Sequence, residues 1–300
     1  MKEYLRNTAA WVLVVASFLV SREVRGQDNL LAELQEMVEE ETEYTLQTFK
    51  GTRVINGQSV ETKGKGALEF IFSHRFGRIN SGSYNLWGLD DAFVRLGLEY
   101  GITDRLGVGF GRSSTDKTYD IFVRYKLLRQ SEGPISFPFT VTALGSFNVK
   151  TSPKASDNPD IEFEQRIAYT TQVMIARKVT SHLSLQLTPI YIHRNSVDVN
   201  TENNDDFALG MAGRYKVSRS VALSAEYYPR LNAKDNSTNF NSLGFGVDIE
   251  TGGHVFQLLF TNSLGMIERA FVTETTGDFF DGDIHFGFNI SRTFQISHKR

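Results

Sequence analysis

The residues able to do chemistry are few and poorly assembled. Ser73-His74 places a hydroxyl beside an imidazole, and Asp278, Asp281 and Asp283 stand just before His285. A serine activated by a histidine is the core of a hydrolase, but no nucleophile elbow accompanies this pair. Adjacent residues of a strand also point to opposite faces, so the two side chains diverge. The three aspartates offer hard oxygens for calcium, yet their spacing does not follow the twelve-residue ligand loop. A solvated acidic turn is the simpler reading. Gly107-x-Gly109-x-Gly111 mimics a nucleotide fingerprint only in its glycines. Leu106, Val108 and Phe110 alternate with them, which makes the glycines small residues on one face of a strand. The chain contains no cysteine, which excludes disulfides, thiolate-held metal and an N-terminal lipidated cysteine. The expectation is therefore no catalytic residue, no metal and no cofactor. A barrel-embedded lipid hydrolase remains the least favoured alternative.

The elements carrying these residues begin with a leader. Lys2 and Arg6 precede the apolar run Ala9–Val20, which is too short to cross a bilayer as a helix, and Val24-Arg25-Gly26 suits a signal peptidase. Residues 1–26 are read as a signal peptide cleaved before Gln27. Its removal takes away four basic and two acidic side chains and moves the net charge from −3 to −5. No basic stripe marks a nucleic-acid partner. Residues 27–62 are read as an N-terminal periplasmic segment. Within it, 28–43 carries seven acidic and no basic residues, with Leu30, Leu31, Leu34, Met37 and Val38 at helical spacing, so a short acidic helix or a disordered stretch is expected. Residues 44–62 read as extended, with Asn56-Gly57 as the hairpin turn, either in the periplasm or inside a lumen.

From Ala67 onward the apolar period is two. Strands are expected at about 67–75, 91–101, 105–112, 117–129, 135–149, 163–178, 181–194, 205–217, 219–229, 240–250, 254–262 and 283–295. Their connections alternate short and long. That pattern, with strands near the roughly 9–11 residues a tilted membrane strand needs, predicts an all-β fold: a transmembrane antiparallel up-and-down barrel of about 12 strands over residues 63–300. Alternation alone would suit a soluble sandwich equally, with the apolar face inward. Leader, strand length and loop asymmetry favour the membrane.

On the polar face, the lumen-lining candidates are Glu69, Arg95, Glu99, Asp120, Arg124, Arg166, Arg214, Glu226, Asp248 and His285. The longest connection, Ser263 to Gly282, is unusually apolar for a solvent loop. Either it folds inward as a constriction carrying Glu268, Arg269, Phe271 and Glu274, its charges meeting wall residues such as Arg95 or Arg214, or it packs over the outer rim for stability. Because a charge is costly on the lipid face and not on the lumen face, Leu96→Arg and Phe288→Arg should be damaging, whereas Gly97→Ser and Asn289→Asp should be mild.

Several segments taken together carry a resemblance: TFKGTRVINGQSVET at 48–62, SHRFGRINSG at 73–82, LGLEYGITDRLGVGFGRSS at 96–114, YKLLRQ at 125–130, and GVDIETGGHVFQLLFTNSLGMIERAF with GDIHFGFNISRTF within 246–294. The chain resembles a family of Bacteroidota outer-membrane β-barrel proteins grouped as a domain of unknown function. The resemblance implies a barrel in a bacterial cell outer membrane, with outer-membrane lipids and the barrel assembly machinery as partners; it supplies no substrate and no catalytic residue. The functional expectation is a passive channel or binding protein for a small solute. The alternative is a non-conducting structural or interaction barrel with a filled lumen, docking a periplasmic partner.

Overall fold

The computed structural model describes residues 41–152 and 162–297. The leader and most of the acidic 28–43 stretch lie outside the described residues. Of the described residues, 41–43 with 133–135 belong to one unit, and 44–132, 136–152 and 162–297 to the other.

The second unit is a closed barrel of twelve antiparallel strands. In chain order they are β1 Ala67–Arg78, β2 Ala92–Gly101, β3 Leu106–Ser113, β4 Tyr119–Leu128, β5 Thr140–Val149, β6 Ile167–Lys178, β7 Leu183–Arg194, β8 Asp205–Lys216, β9 Val221–Tyr228, β10 Ser242–Glu250, β11 His254–Thr261 and β12 His285–Gln295. Each strand pairs with the next, and β12 closes on β1 through Asn289↔Ser73 and Phe288↔His74. Closure removes both sheet edges, so every strand has two neighbours to satisfy its backbone. Tight turns gather at one rim, closed by backbone bonds such as Ile102 N to Leu106 O (2.9 Å), Val179 N to Leu183 O (2.8 Å) and Val217 N to Val221 O (2.9 Å).

Two expected strands start late. β5 begins at Thr140 rather than 135, because Pro134 and Pro138 lack the N–H a ladder needs. β6 begins at Ile167 because Glu164–Arg166 form a 3-10 turn.

The faces are sorted opposite to those of a soluble protein. Leu96, Phe110 and Leu187 on the outside are 47%, 48% and 50% exposed, while Arg75, Arg95 and Arg124 inside are 1%, 1% and 0% exposed. Burying arginine while exposing leucine makes physical sense only where the exposed face meets lipid. This decides the orientation that alternation left open. Ser73 points inward and is buried, while His74 lies on the outer face, stacked on Phe288 at 5.0 Å. The two cannot act together.

Candidate functional site

The lumen is the site, and it is occupied by the chain itself. A barrel of eight strands has an interior that side chains can fill, while sixteen leave an aqueous channel. Twelve leave room for a further segment, and residues 47–62 take it. They enter from the short-turn rim, where Thr45 N donates to Gln130 O (2.9 Å) and Thr62 Oγ1 to Asp104 O (3.0 Å). Inside, Arg53 bridges Gln58 as an antiparallel pair, and Val54 N donates to Gly57 O (2.8 Å). The turn residues are thus Ile55 and Asn56, one position before the expected Asn56-Gly57, and neither has positive φ. A primed turn is unnecessary because Glu226 of β9 supplies the closure. Its carboxylate accepts the N–H groups of Ile55 (3.1 Å), Asn56 (2.8 Å) and Gly57 (3.1 Å). Gly57 serves close approach instead: a Cβ there would lie 1.6 Å from the Tyr228 hydroxyl.

The wall grips the rest of this hairpin mostly through its backbone. Gln257 Nε2 donates to Val54 O (2.6 Å), Asn289 Nδ2 to Ile55 O (3.0 Å) and Gln186 Nε2 to Gln58 O (2.8 Å). Thr142 Oγ1 donates to Val60 O (2.7 Å), and Arg124 to Glu61 O (2.6 Å) and to the Gln58 side chain. Arg75 donates to Asn56 Oδ1 (2.8 Å). Phe49, Val54, Ile55 and Val60 are buried against Phe122, Leu144, Met174 and Leu259. One cavity between hairpin and wall, bordered by Thr52, Arg214 and Asp248, has a volume of about 40 Å³, room for only a few water molecules.

From the opposite rim the long loop Ser263 to Gly282 folds in, bearing the short helix α1 (Glu268–Thr273). Phe271 is fully buried, edge-on to Tyr228 at 4.8 Å. Arg53 of the hairpin donates to Met266 O (3.3 Å). The two inserted segments therefore touch: one comes from each side of the membrane, and Tyr228 contacts both. Vestibules of about 370 Å³ and about 460 Å³ lie at the short-turn and long-loop rims.

The candidate wall residues fall as follows. Glu69 accepts from Thr52 Oγ1 (3.0 Å) and pairs with Lys63 (2.7 Å). Arg95 clamps Asp120 through two bonds (3.0 and 2.5 Å), and Arg124 meets Glu99 at 3.0 Å. Both pairs reach across β3, and the row Gly107, Gly109 and Gly111 is what lets them. A Cβ on Gly111 would sit 2.1 Å from the Arg95 guanidinium, and one on Gly109 would sit 2.0 Å from Phe122. Arg214 binds Asp248 (3.0 Å) and Glu250, and Asp248 also accepts from Ser224 (2.9 Å) and Gln257 (2.6 Å). His285 is buried at the far end of β12, its Nδ1 2.8 Å from Phe76 O.

Arg166 is a correction. The 3-10 turn that delays β6 puts it at the long-loop rim, half-buried, 3.4 Å from Ser152 O, and not on the lumen wall. The loop charges meet the expectation only in part: Glu268 comes near Arg95 but accepts its hydrogen bond from Gln172 (3.0 Å), and Glu274 bridges Arg269 (2.5 Å) and Lys150 (3.3 Å), because Arg95 and Arg214 are already bonded within the wall. Asp278 works in a local turn, its carboxylate accepting from Phe280 N (2.9 Å), while Asp283 accepts from Asn80 (2.8 Å) and pairs with Arg78 (3.1 Å) at the end of β1. Among the described residues no group of three metal-ligating side chains converges. Reading charges alone missed Gln186, Gln257, Asn289 and Thr142, the uncharged polar residues that hold the hairpin. Their signal was an inward position combined with a side chain that can donate to a carbonyl.

At the long-loop rim Arg194, Glu202, Asp206 and Arg230 form one cluster, with bonds of 2.6 to 3.0 Å. Burial would raise the Glu202 carboxyl, but hydrogen bonds from Arg230, Ser237, Asn239 and Arg194 outweigh it and hold it at about 2. The carboxylate thereby ties the loop after β7 to the loop after β9.

Residues 49–294 match a family described as "Membrane bound beta barrel domain (DUF5777)". No curated protein matches. Solved structures similar to this chain include the NanC porin, at 11% identity and TM-score 0.48, covering 77% of this chain and 100% of that one. The KdgM porin follows at 9% and 0.44, covering 76% and 99%. The translocator domain of the autotransporter NalP from Neisseria meningitidis stands at 12% and 0.35, covering 78% and 91%.

Proposed function

The chain belongs to this membrane-bound β-barrel family, and from that premise we propose that it is an exported outer-membrane channel for small polar solutes, held closed by its own segment 47–62. It performs no enzymatic step in this reading; its work is to open and close a path. One observation carries the proposal: outside apolar patches such as Phe122, Leu144, Met174 and Leu259, the lumen wall is polar, and it holds the hairpin largely by donating to and accepting from the hairpin's backbone. Water can replace such bonds one for one when the hairpin leaves. A wall designed only to be filled would do better with apolar side chains, because burying charge is expensive. Once cleared, the wall would offer arginines and carboxylates that already neutralise each other, as in Arg95–Asp120 and Arg214–Asp248. That balance suits neutral or zwitterionic solutes of sugar size better than ions of one sign.

The filled lumen also favours the second reading, a non-conducting barrel. Planar-bilayer recording and liposome swelling of the full chain and of a variant lacking residues 47–62 separate the two. The full chain should be silent and the shortened barrel should conduct. A folded, heat-modifiable shortened barrel that stays silent would leave the structural reading in place.

A further inference from the structure

On the lipid-facing side, a groove of about 560 Å³ runs over β6 to β10. Its floor exists because two outward positions that face each other across strands, Gly213 and Ala225, are small. In the same register, Leu185 stands beside Gly213, and in the next row Leu187, Met211 and Tyr227 form the bank. The neighbouring membrane face is instead built from large side chains such as Phe245, Val247, Phe256 and Leu258. The groove is thus a depression beside a face of larger side chains.

At its edge is Arg177, on the outer face of β6 one residue from that strand's end at the short-turn rim. The guanidinium lies 6.0 Å from the Phe139 ring centroid, and it has no carboxylate in salt-bridge range among the described residues. An unpaired arginine at the membrane boundary, beside an apolar depression, presents the two halves of a phospholipid's complement: a fork for phosphate and a trough for an acyl chain.

We infer that this groove is a specific site for one glycerophospholipid of the leaflet on the short-turn side, its phosphate on Arg177 and an acyl chain over Gly213 and Ala225. The outward lining residues include no acid, so a second copy packing through this face would bring in another unpaired arginine with nothing to neutralise it. A lipid brings the opposite charge.

The test is native mass spectrometry of the full chain released from detergent, titrated with dipalmitoyl phosphatidylglycerol and, separately, with dipalmitoyl glycerol, which lacks the phosphate. One phosphatidylglycerol should remain bound and the diacylglycerol should not. Arg177→Gln should weaken retention about tenfold, as expected for losing one charge-assisted phosphate contact. Ala225→Leu, which fills the trough from a lipid-facing position, should do the same. Arg292→Gln should leave retention unchanged, because Arg292 faces lipid at the same rim but rests on the Phe294 ring, away from the groove. Heat-modifiability verifies folding of each variant. Equal retention by all of them overturns the site, as does a dimer that Ala225→Leu abolishes.

Discussion

Replacing Glu226 by alanine should release the hairpin without unfolding the barrel. The carboxylate accepts three successive backbone N–H groups at the turn, at 3.1, 2.8 and 3.1 Å. A hydrogen bond to a charged acceptor contributes about 1.5–3 kcal/mol net, so three of them at the lower end give about 4.5 kcal/mol. With one decade per about 1.4 kcal/mol, the closed-to-open ratio should fall by roughly three decades. The strand pairing should survive the change, because the Glu226 backbone keeps its register with Ala212 and Gly244 and only the side chain is lost; buried Arg75 loses a nearby countercharge, so folding of the variant is checked by heat-modifiability. The assay is single-channel recording of the refolded, heat-modifiable protein, with wild type and the variant lacking residues 47–62 as the closed and open references. Glu226→Ala should show frequent openings of the same unit conductance as the shortened barrel. Glu226→Gln keeps one acceptor oxygen and should fall between. If Glu226→Ala stays as silent as wild type while the shortened barrel conducts, the carboxylate does not hold the gate, and the apolar anchors Phe49, Val54, Ile55 and Val60 must do so.

Deleting residues 266–278 alone should not open the pore, since the hairpin still fills the middle; conductance should rise only when segment 47–62 is removed as well. Gly111→Val should destabilise the barrel by about 3–5 kcal/mol in urea titration, because its Cβ would displace the buried Arg95–Asp120 pair. Phe288→Arg, on the lipid face of β12, should cost about 2–4 kcal/mol if it lies near the bilayer midplane. Glu202 is held at about 2, below its ordinary value of 4.5, so its contribution is complete above that ordinary value and is lost as pH falls toward 2. Hydrogen exchange should show the loops after β7 and β9 loosening across that window, and Glu202→Gln should remove most of the pH dependence.

The strand order, the two faces and the rims were legible in the sequence because each follows from a local rule. Side chains alternate at every residue, so Leu96, Leu98 and Tyr100 had to share a face opposite Arg95 and Glu99, and turn residues mark where the chain reverses. The candidate wall charges could be named on the same ground, apart from Arg166, where a short 3-10 turn broke the period. Tertiary structure alone decided what those charges face. Residues 44–62 read equally as a periplasmic hairpin or a lumen segment, because their backbone is satisfied by partners more than a hundred residues away, such as Glu226, Gln257 and Asn289. That placement changes the expectation for Asn289→Asp, which would lose the donor to Ile55. Gly97→Ser is also less mild than alternation alone implies, because a side chain on Gly97 would start 2.6 Å from the guanidinium of Arg95, which Asp120 holds in the wall. The shift of the turn to Ile55-Asn56 has the same origin, since a carboxylate from across the lumen supplies what an Asn-Gly turn would otherwise supply locally. Alternation fixes which way a side chain points, but only closure of the barrel brings it to the group it will bind.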